Sequence, residues 1–181
     1  MRHALSMTSV RAGAAQTALI VAVPEAEPAV AAHREKLDRA AAWGVPAHVT
    51  VLYPFAALRG LDLGLLGAVA GRVARFEMIL RRLGWFGERV VWLDPEPAEP
   101  FRRLTAEVMS YFPGVQPYGG VHDEVIPHLT IGHDHPPAVR RAAGAAVLAH
   151  GPIHARVTSM RLITGPAGSG PWSTVAEFPF G

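Results

Sequence analysis

The sequence contains no cysteine and only one lysine, Lys36, and it has no apolar run long enough to span a membrane. The absence of cysteine excludes disulfide bonds and thiolate metal sites. The apolar run at residues 17–23 is short and leads into Pro24 and acidic residues, which is not typical of a signal peptide. We therefore expect a cytoplasmic protein without a membrane segment.

Charge is also scarce, since 18% of the 181 residues are charged and the formal net charge is +2. Half of the residues are hydrophobic, which predicts a globular fold with a substantial core. A net charge this small argues against a protein that coats nucleic acid. The length suits one folding unit, so we expect a flexible leader at 1–15, a single domain at 16–181 and a monomer.

A tripeptide of histidine, an aliphatic residue and threonine occurs twice. His48-Val49-Thr50 lies in PAHVTVLYPF, and His128-Leu129-Thr130 lies in IPHLTIGH. Each copy closely follows a proline and opens an apolar run, so each is predicted to begin a β-strand. Alternate side chains of a strand point to the same face, which places each histidine beside its threonine.

Two such pairs suit the opening of a cyclic phosphodiester. One group must remove a proton from the attacking water or hydroxyl, and another must protonate the leaving oxygen. Histidine can perform either role near neutral pH because its ordinary pKa is about 6.5. The hydroxyls of Thr50 and Thr130 can donate hydrogen bonds to the non-bridging phosphate oxygens. This chemistry requires no metal or other cofactor.

The two motifs and their spacing resemble those of the 2H phosphoesterases, and HVTVLYPF is similar to the first motif of the bacterial 2′-5′ RNA ligase or cyclic phosphodiesterase branch. The resemblance implies an α+β, bilobal fold of two pseudo-twofold-related lobes, each an antiparallel sheet with outer helices, around a central cleft. It implies His48, Thr50, His128 and Thr130 as catalytic residues acting on 2′,3′-cyclic phosphates of nucleotides or RNA ends. Family members often have an arginine shortly after the second motif, where this chain has His133.

The hydrophobic pattern supports alternating strands and helices. We predict strands at 17–23, 48–53, 77–83, 89–93, 127–131, 153–164 and 172–180, and helices at 28–43, 61–76, 99–112 and 137–149. A turn is expected around Gly84 and Gly87. A strand, helix and motif-strand order recurs loosely in the two halves of the chain.

Several other residues are candidates for substrate contact. Tyr53 and Phe55 follow the first motif and are able to stack on a nucleobase, although packing between the lobes is an equal alternative. Tyr118, in the loop before the second motif, and Trp172 are weaker candidates of the same kind. We expect His133 to line the substrate site or to support it.

Three alternative functions remain open at this point. His128, His133 and His135, with Asp134, form a histidine-rich group that a zinc hydrolase would use, but the spacing matches no zinc motif and we assign no metal site. A module that binds phosphorylated RNA ends without turnover is the second alternative. Joining of RNA ends through a 2′-5′ bond would use the same groups in the reverse direction.

Overall fold

A computed structural model describes residues 15–117 and 125–181, so the predicted leader lies almost wholly outside the described residues. In the described ranges the strands are β1 (Gln16–Ala22), β2 (His48–Leu52), β3 (Phe76–Phe86), β4 (Val90–Glu96), β5 (Leu129–His133), β6 (Ile153–Val157), β7 (Ser159–Gly165) and β8 (Ser173–Pro179). The α-helices there are α1 (Glu27–Leu37), α2 (Arg39–Ala42), α3 (Leu63–Ala70), α4 (Glu99–Tyr111) and α5 (Pro137–Ala149). The fold is α+β, as the sequence predicts.

The strands form two antiparallel four-stranded sheets. The first has the order β2-β1-β7-β8, and the second has the order β5-β4-β3-β6. Both motif strands, β2 and β5, therefore lie at a sheet edge and pair with one neighbour each. The first sheet combines strands from the two ends of the chain, whereas the second uses the middle, so the lobes are not consecutive halves of the sequence.

The predicted long strand at 153–164 is in fact two strands that belong to different sheets. β6 pairs with β3, β7 pairs with β1 and β8, and the chain changes sheet at Thr158. Buried residues alternate at 153, 155 and 157 in β6, and the alternation resumes one position out of phase at Met160 in β7. The consecutive polar residues Thr158 and Ser159 mark this shift in the sequence, but periodicity reports which face is buried and not which strand is the partner.

The predicted helix at 28–43 is interrupted at Asp38. This residue has an extended backbone, with φ of −128° and ψ of 112°, and its side chain accepts a hydrogen bond from the Ala40 amide. An N-cap aspartate satisfies a free amide at the start of a helix, so the chain ends α1 and begins α2 there. The predicted helix at 61–76 is also shorter, because Asp62 caps α3 and β3 begins at Phe76.

The turn predicted around Gly84 and Gly87 is found at Gly87, which has a φ of 53°, whereas Gly84 belongs to β3 and the strand continues to Phe86. Gly84 pairs with Trp92 across β3 and β4, and a Cβ at Gly84 would overlap the Trp92 ring. Glycine is required here because the indole lies flat against the backbone.

Helices connect the two lobes across the molecule. Helix α1 follows β1 in the chain but packs on β5 of the other sheet, and α4 packs on β2. A Cβ at Gly132 would lie 2.6 Å from the Leu37 Cβ, so the end of α1 contacts β5 very closely. On the other side, the Thr105 hydroxyl of α4 donates to the Val51 carbonyl at 3.1 Å. One large hydrophobic cluster runs through both lobes.

The described part of the chain has no helix of the length and hydropathy needed to cross a membrane.

Candidate active site

The two motifs occupy equivalent places on the edges of the two sheets. His48 begins β2, and His128 immediately precedes β5. In each motif the central aliphatic residue, Val49 or Leu129, is buried in the core. The histidine and the threonine on either side of it are half-buried on the opposite face of the strand. Strands β2 and β5 contact each other, and a charge on His128 is felt at His48. The fold therefore brings the two motifs together.

Each motif histidine is oriented by the same hydrogen bond. Nδ1 of His48 lies 2.7 Å from the Pro46 carbonyl oxygen, and Nδ1 of His128 lies 2.7 Å from the Ile126 carbonyl oxygen. A carbonyl can only accept, so Nδ1 carries a hydrogen in both rings. The other nitrogen, Nε2, is then free of its proton in the neutral ring and can exchange one with a substrate.

The two rings differ in their electrostatic surroundings. Desolvation and the nearby Arg34 guanidinium lower the pKa of His48 to about 4. Desolvation also lowers the pKa of His128, opposed by the Ile126 carbonyl, and no Arg34 effect acts there. His48 is therefore the more strongly neutral of the two histidines.

Aromatic rings surround His128. Its imidazole meets Phe86 edge to face, with centroids 4.8 Å apart and planes at 88°, and lies 5.8 Å from Trp92. Trp92 is directly opposite Thr130 in the sheet, on the strand beside β5. The indole in turn lies over Gly84. These rings fix the orientation of His128 by packing, since well-packed aromatic pairs have preferred geometries.

A cavity of about 240 Å³ lies beside the first motif. Aromatic and aliphatic side chains form its wall, and His48 and Thr50 supply polar groups. The Tyr53 hydroxyl, which also belongs to the wall, already donates to Gln16 Oε1 at 2.8 Å. Ligand sites usually measure about 300–1,000 Å³, so this cavity suits one ring of a ligand rather than a whole nucleotide. The lining residues are Ala18, Ile20, Ala40, Trp43, Val45, His48, Thr50, Tyr53, Ile163 and Trp172.

His133 is the last residue of β5, so the strand extends two residues beyond the predicted bounds of 127–131. Its Nε2 is 3.4 Å from Asp38 Oδ1, and its Nδ1 is 3.2 Å from Asp134 Oδ2. The Asp38 contact raises the pKa of His133 against its partial burial, and Asp134 adds to the increase. Asp38 is itself paired with Arg34 at 2.9 Å. Burial would raise the pKa of Asp38, but His133 and Arg34 together hold it below its usual value.

The other predicted contact residues are distributed differently. Tyr53 lines the cavity beside His48, as does Trp172, and their rings meet at 6.1 Å. Phe55 is instead buried in the core, 5.2 Å from Phe112, and does not line that cavity. Tyr118 lies outside the described residues.

The histidine-rich segment after the second motif does not converge on one point. Both ring nitrogens of His133 face carboxylates, whereas Nδ1 of His128 faces a carbonyl. Among residues 15–117 and 125–181, no three histidine, aspartate or glutamate side chains are grouped to hold a metal ion.

Four residues that surround the motifs carry little signal of that role in the sequence. Arg34 and Asp38 are spaced four apart on a predicted helix, which is a recognisable ion-pair spacing, but nothing indicated their burial. Trp43 and Phe86 lie outside both motifs, and neither pattern nor spacing connects them with the histidines that they approach. Only the tertiary fold places them at the site.

This fold and the paired motifs define the two-histidine phosphoesterase class. The sequence matches the 2′-5′ RNA ligase superfamily over residues 22–168, and the chain belongs to that family, the 2H phosphoesterases. No curated protein matches the chain.

Solved structures share the fold at low sequence identity. Escherichia coli LigT, solved with 3′-AMP, is 18% identical with a TM-score of 0.58, covering 91% of this chain and 97% of LigT. TT0787 of Thermus thermophilus is 22% identical with a TM-score of 0.61, covering 91% of this chain and 97% of that protein. A protein described as a phosphoesterase is 16% identical with a TM-score of 0.58, covering 91% of this chain and 98% of its own.

Proposed function

We propose that this protein is a metal-independent phosphodiesterase that opens 2′,3′-cyclic phosphates of nucleotides or RNA ends. The observation that supports this most directly is the pair of matched histidines, His48 and His128, each with Nδ1 held 2.7 Å from a carbonyl two residues earlier. That arrangement presents two Nε2 atoms for proton transfer, as general acid–base catalysis requires.

In this proposal His48 is the general base and His128 is the general acid. Desolvation and Arg34 both oppose a positive charge on His48, so its Nε2 is unprotonated and available to take a proton from water. Arg34 does not act on His128, which is therefore the histidine of the two that carries a proton more readily. Water attacks phosphorus, the bond to the 3′ oxygen breaks, and His128 protonates that oxygen to leave a 2′-phosphate. Proton exchange with water then returns His48 to its neutral form and His128 to its protonated form.

The threonine hydroxyls would bind the non-bridging phosphate oxygens. Thr50 and Thr130 lie two residues after the histidines on the same strand face, and neither hydroxyl is bonded to another described residue. Hydrogen bonds aimed at the oxygens where charge develops stabilise the transition state. The two hydroxyls would therefore hold the ester between the two imidazoles.

The cavity beside His48 would hold the ring of a nucleobase. LigT has been solved with 3′-AMP, NADP+ and ATP, which favours a nucleotide for this chain as well. The wall offers the rings of Trp43, Tyr53 and Trp172 but few free polar groups. Stacking tolerates every base because all have a π-face, so we expect weak discrimination among bases.

Phosphorus NMR with each 2′,3′-cyclic nucleotide, in the presence of a chelator, tests this function. We expect conversion to the 2′-phosphate, and a loss of about 10²–10⁴-fold in kcat for His48→Ala and for His128→Ala. Folded single variants that keep full activity would refute the assignment. Intact cyclic nucleotide with measurable affinity would instead indicate a binding module, and activity lost on chelation would indicate a metal hydrolase.

A further inference from the structure

The end of α1 contacts β5, and the short helix α2 contacts the segment that enters β2. Leu37 packs on Gly132, where the Cβ of any other residue would meet the Leu37 Cβ at 2.6 Å. In α2, the Ala40 carbonyl accepts a hydrogen bond from the Val45 amide at 2.9 Å. The α1–α2 junction at Asp38 therefore contacts both the segment entering β2 and the end of β5.

Buried charges connect the same two points. The Arg34 guanidinium donates to Asp38 Oδ2 at 2.9 and 3.1 Å and to the Val45 carbonyl at 3.3 Å. The other Asp38 oxygen faces His133 Nε2 at 3.4 Å. The Arg34 and Asp38 side chains are only 2% and 4% exposed, so these contacts are formed away from water.

We propose that Asp38 and His133 are positioning residues that set the separation of the two motifs, a role that rests on the function proposed above. Val45 lies three residues before His48, and His133 lies three residues after Thr130. The Arg34–Asp38–His133 bridge therefore joins the chain three residues before the first motif, in the segment that enters β2, and three residues after the second motif, at the end of β5. Fixing both ends of this bridge fixes how far apart the two imidazoles lie.

The contacts of His133 support positioning rather than phosphate binding. Asp38 faces one ring nitrogen and Asp134 faces the other, and Arg89 binds Asp134 at 2.6 Å. Charges alternate along this chain of groups, and each contact strengthens its neighbours. No ring nitrogen of His133 is left for a substrate oxygen.

Comparison of His133→Ala with His133→Arg tests the role. Alanine removes the Asp38 contact but leaves the buried Arg34–Asp38 pair intact. We expect kcat on a 2′,3′-cyclic nucleotide to fall about 10–100-fold with a smaller change in KM, because misplacement of about 1 Å costs that much. A guanidinium can still pair with Asp38, so His133→Arg should recover most of the activity.

Leu66→Ala is the matched control. Leu66 is fully buried in α3, away from the bridge, and its truncation should cost about 2–5 kcal/mol of stability without changing kcat below the melting temperature. Unchanged kcat in His133→Ala, or equal losses in His133→Ala and His133→Arg, would overturn the positioning role.

A readout independent of turnover separates this proposal from the proposed function. The Cε1–H proton resonances of His48 and His128 should shift in His133→Ala and return in His133→Arg, whether or not the wild type hydrolyses the substrate. Resonances that do not move in His133→Ala would overturn the bridge. An inactive wild type with shifted resonances would refute only the catalytic function.

Discussion

Gly84 supports the aromatic packing beside His128, and Gly84→Ala tests that support. A Cβ at this position would overlap three atoms of the Trp92 ring, which is 8% exposed. The centroid of the Trp92 ring also lies 5.0 Å from that of Phe86 and 5.8 Å from that of His128. We therefore expect the added methyl to displace the indole and to disturb the ring packing around His128.

The magnitude follows from two opposing effects. Overpacking a well-filled site costs about 1–3 kcal/mol. Replacing glycine by alanine recovers about 0.4–1 kcal/mol by restricting the unfolded chain. We expect a net loss of about 1–2 kcal/mol in the free energy of unfolding, and a fall in kcat of about 10–100-fold as His128 is displaced.

Urea denaturation and steady-state hydrolysis of a 2′,3′-cyclic nucleotide measure both effects. Gly67→Ala is the matched control, since a Cβ there would meet Phe178 at an ordinary 3.7 Å and the residue lies within α3. That change should stabilise the protein by about 0.5–1 kcal/mol because alanine favours helix, and it should leave kcat unchanged. Wild-type stability and kcat in Gly84→Ala would refute the packing argument.

Four further predictions concern charge and the cavity. The pH profile of kcat/KM should be bell-shaped, with an acid limb near the His48 pKa of about 4 and an alkaline limb, set by the lowered pKa of His128, below 6.5. Activity that rises towards pH 8 would contradict the acid–base assignment. Asp38 and Asp134 raise the pKa of His133, so the contribution of His133 to stability should be complete below pH 6.5 and should disappear as pH rises through the folded-state pKa. If the difference in melting temperature between wild type and His133→Ala is the same at all pH values, this linkage is excluded. Arg34→Met removes the buried guanidinium that pairs with Asp38 and should lower the free energy of unfolding, measured by chemical denaturation, by about 3–5 kcal/mol. Arg141→Met, at an exposed position on α5, is the control, and an equally small loss in both variants would show that the pair is dispensable. Trp172→Ala should raise KM about 5–150-fold for all four cyclic nucleotides, as expected for about 1–3 kcal/mol of stacking per base, and an effect on one base alone would indicate recognition of base edges.

The resemblance of the two motifs to those of the 2H phosphoesterases implied the α+β class, and the local sequence pattern predicted that both motifs lie on strands with alternating side chains. The second prediction depends on local pattern, because a strand that buries valine and leucine on one face must present histidine and threonine on the other. The sequence also predicted helix α5 with the bounds that the structure has, since a proline at its start and helical spacing are local signals.

Tertiary structure decided the features that depend on distant partners. The change of sheet at Thr158 depends on the pairing of β7 with β1, and the burial of the Arg34–Asp38 pair depends on the packing around it, so neither is visible in a local window. His133 follows the second motif directly, yet its environment is set by Asp38, 95 positions earlier (133 − 38). Local periodicity dictates which face of an element is buried, whereas the partner of a buried charge is chosen only when the lobes pack together.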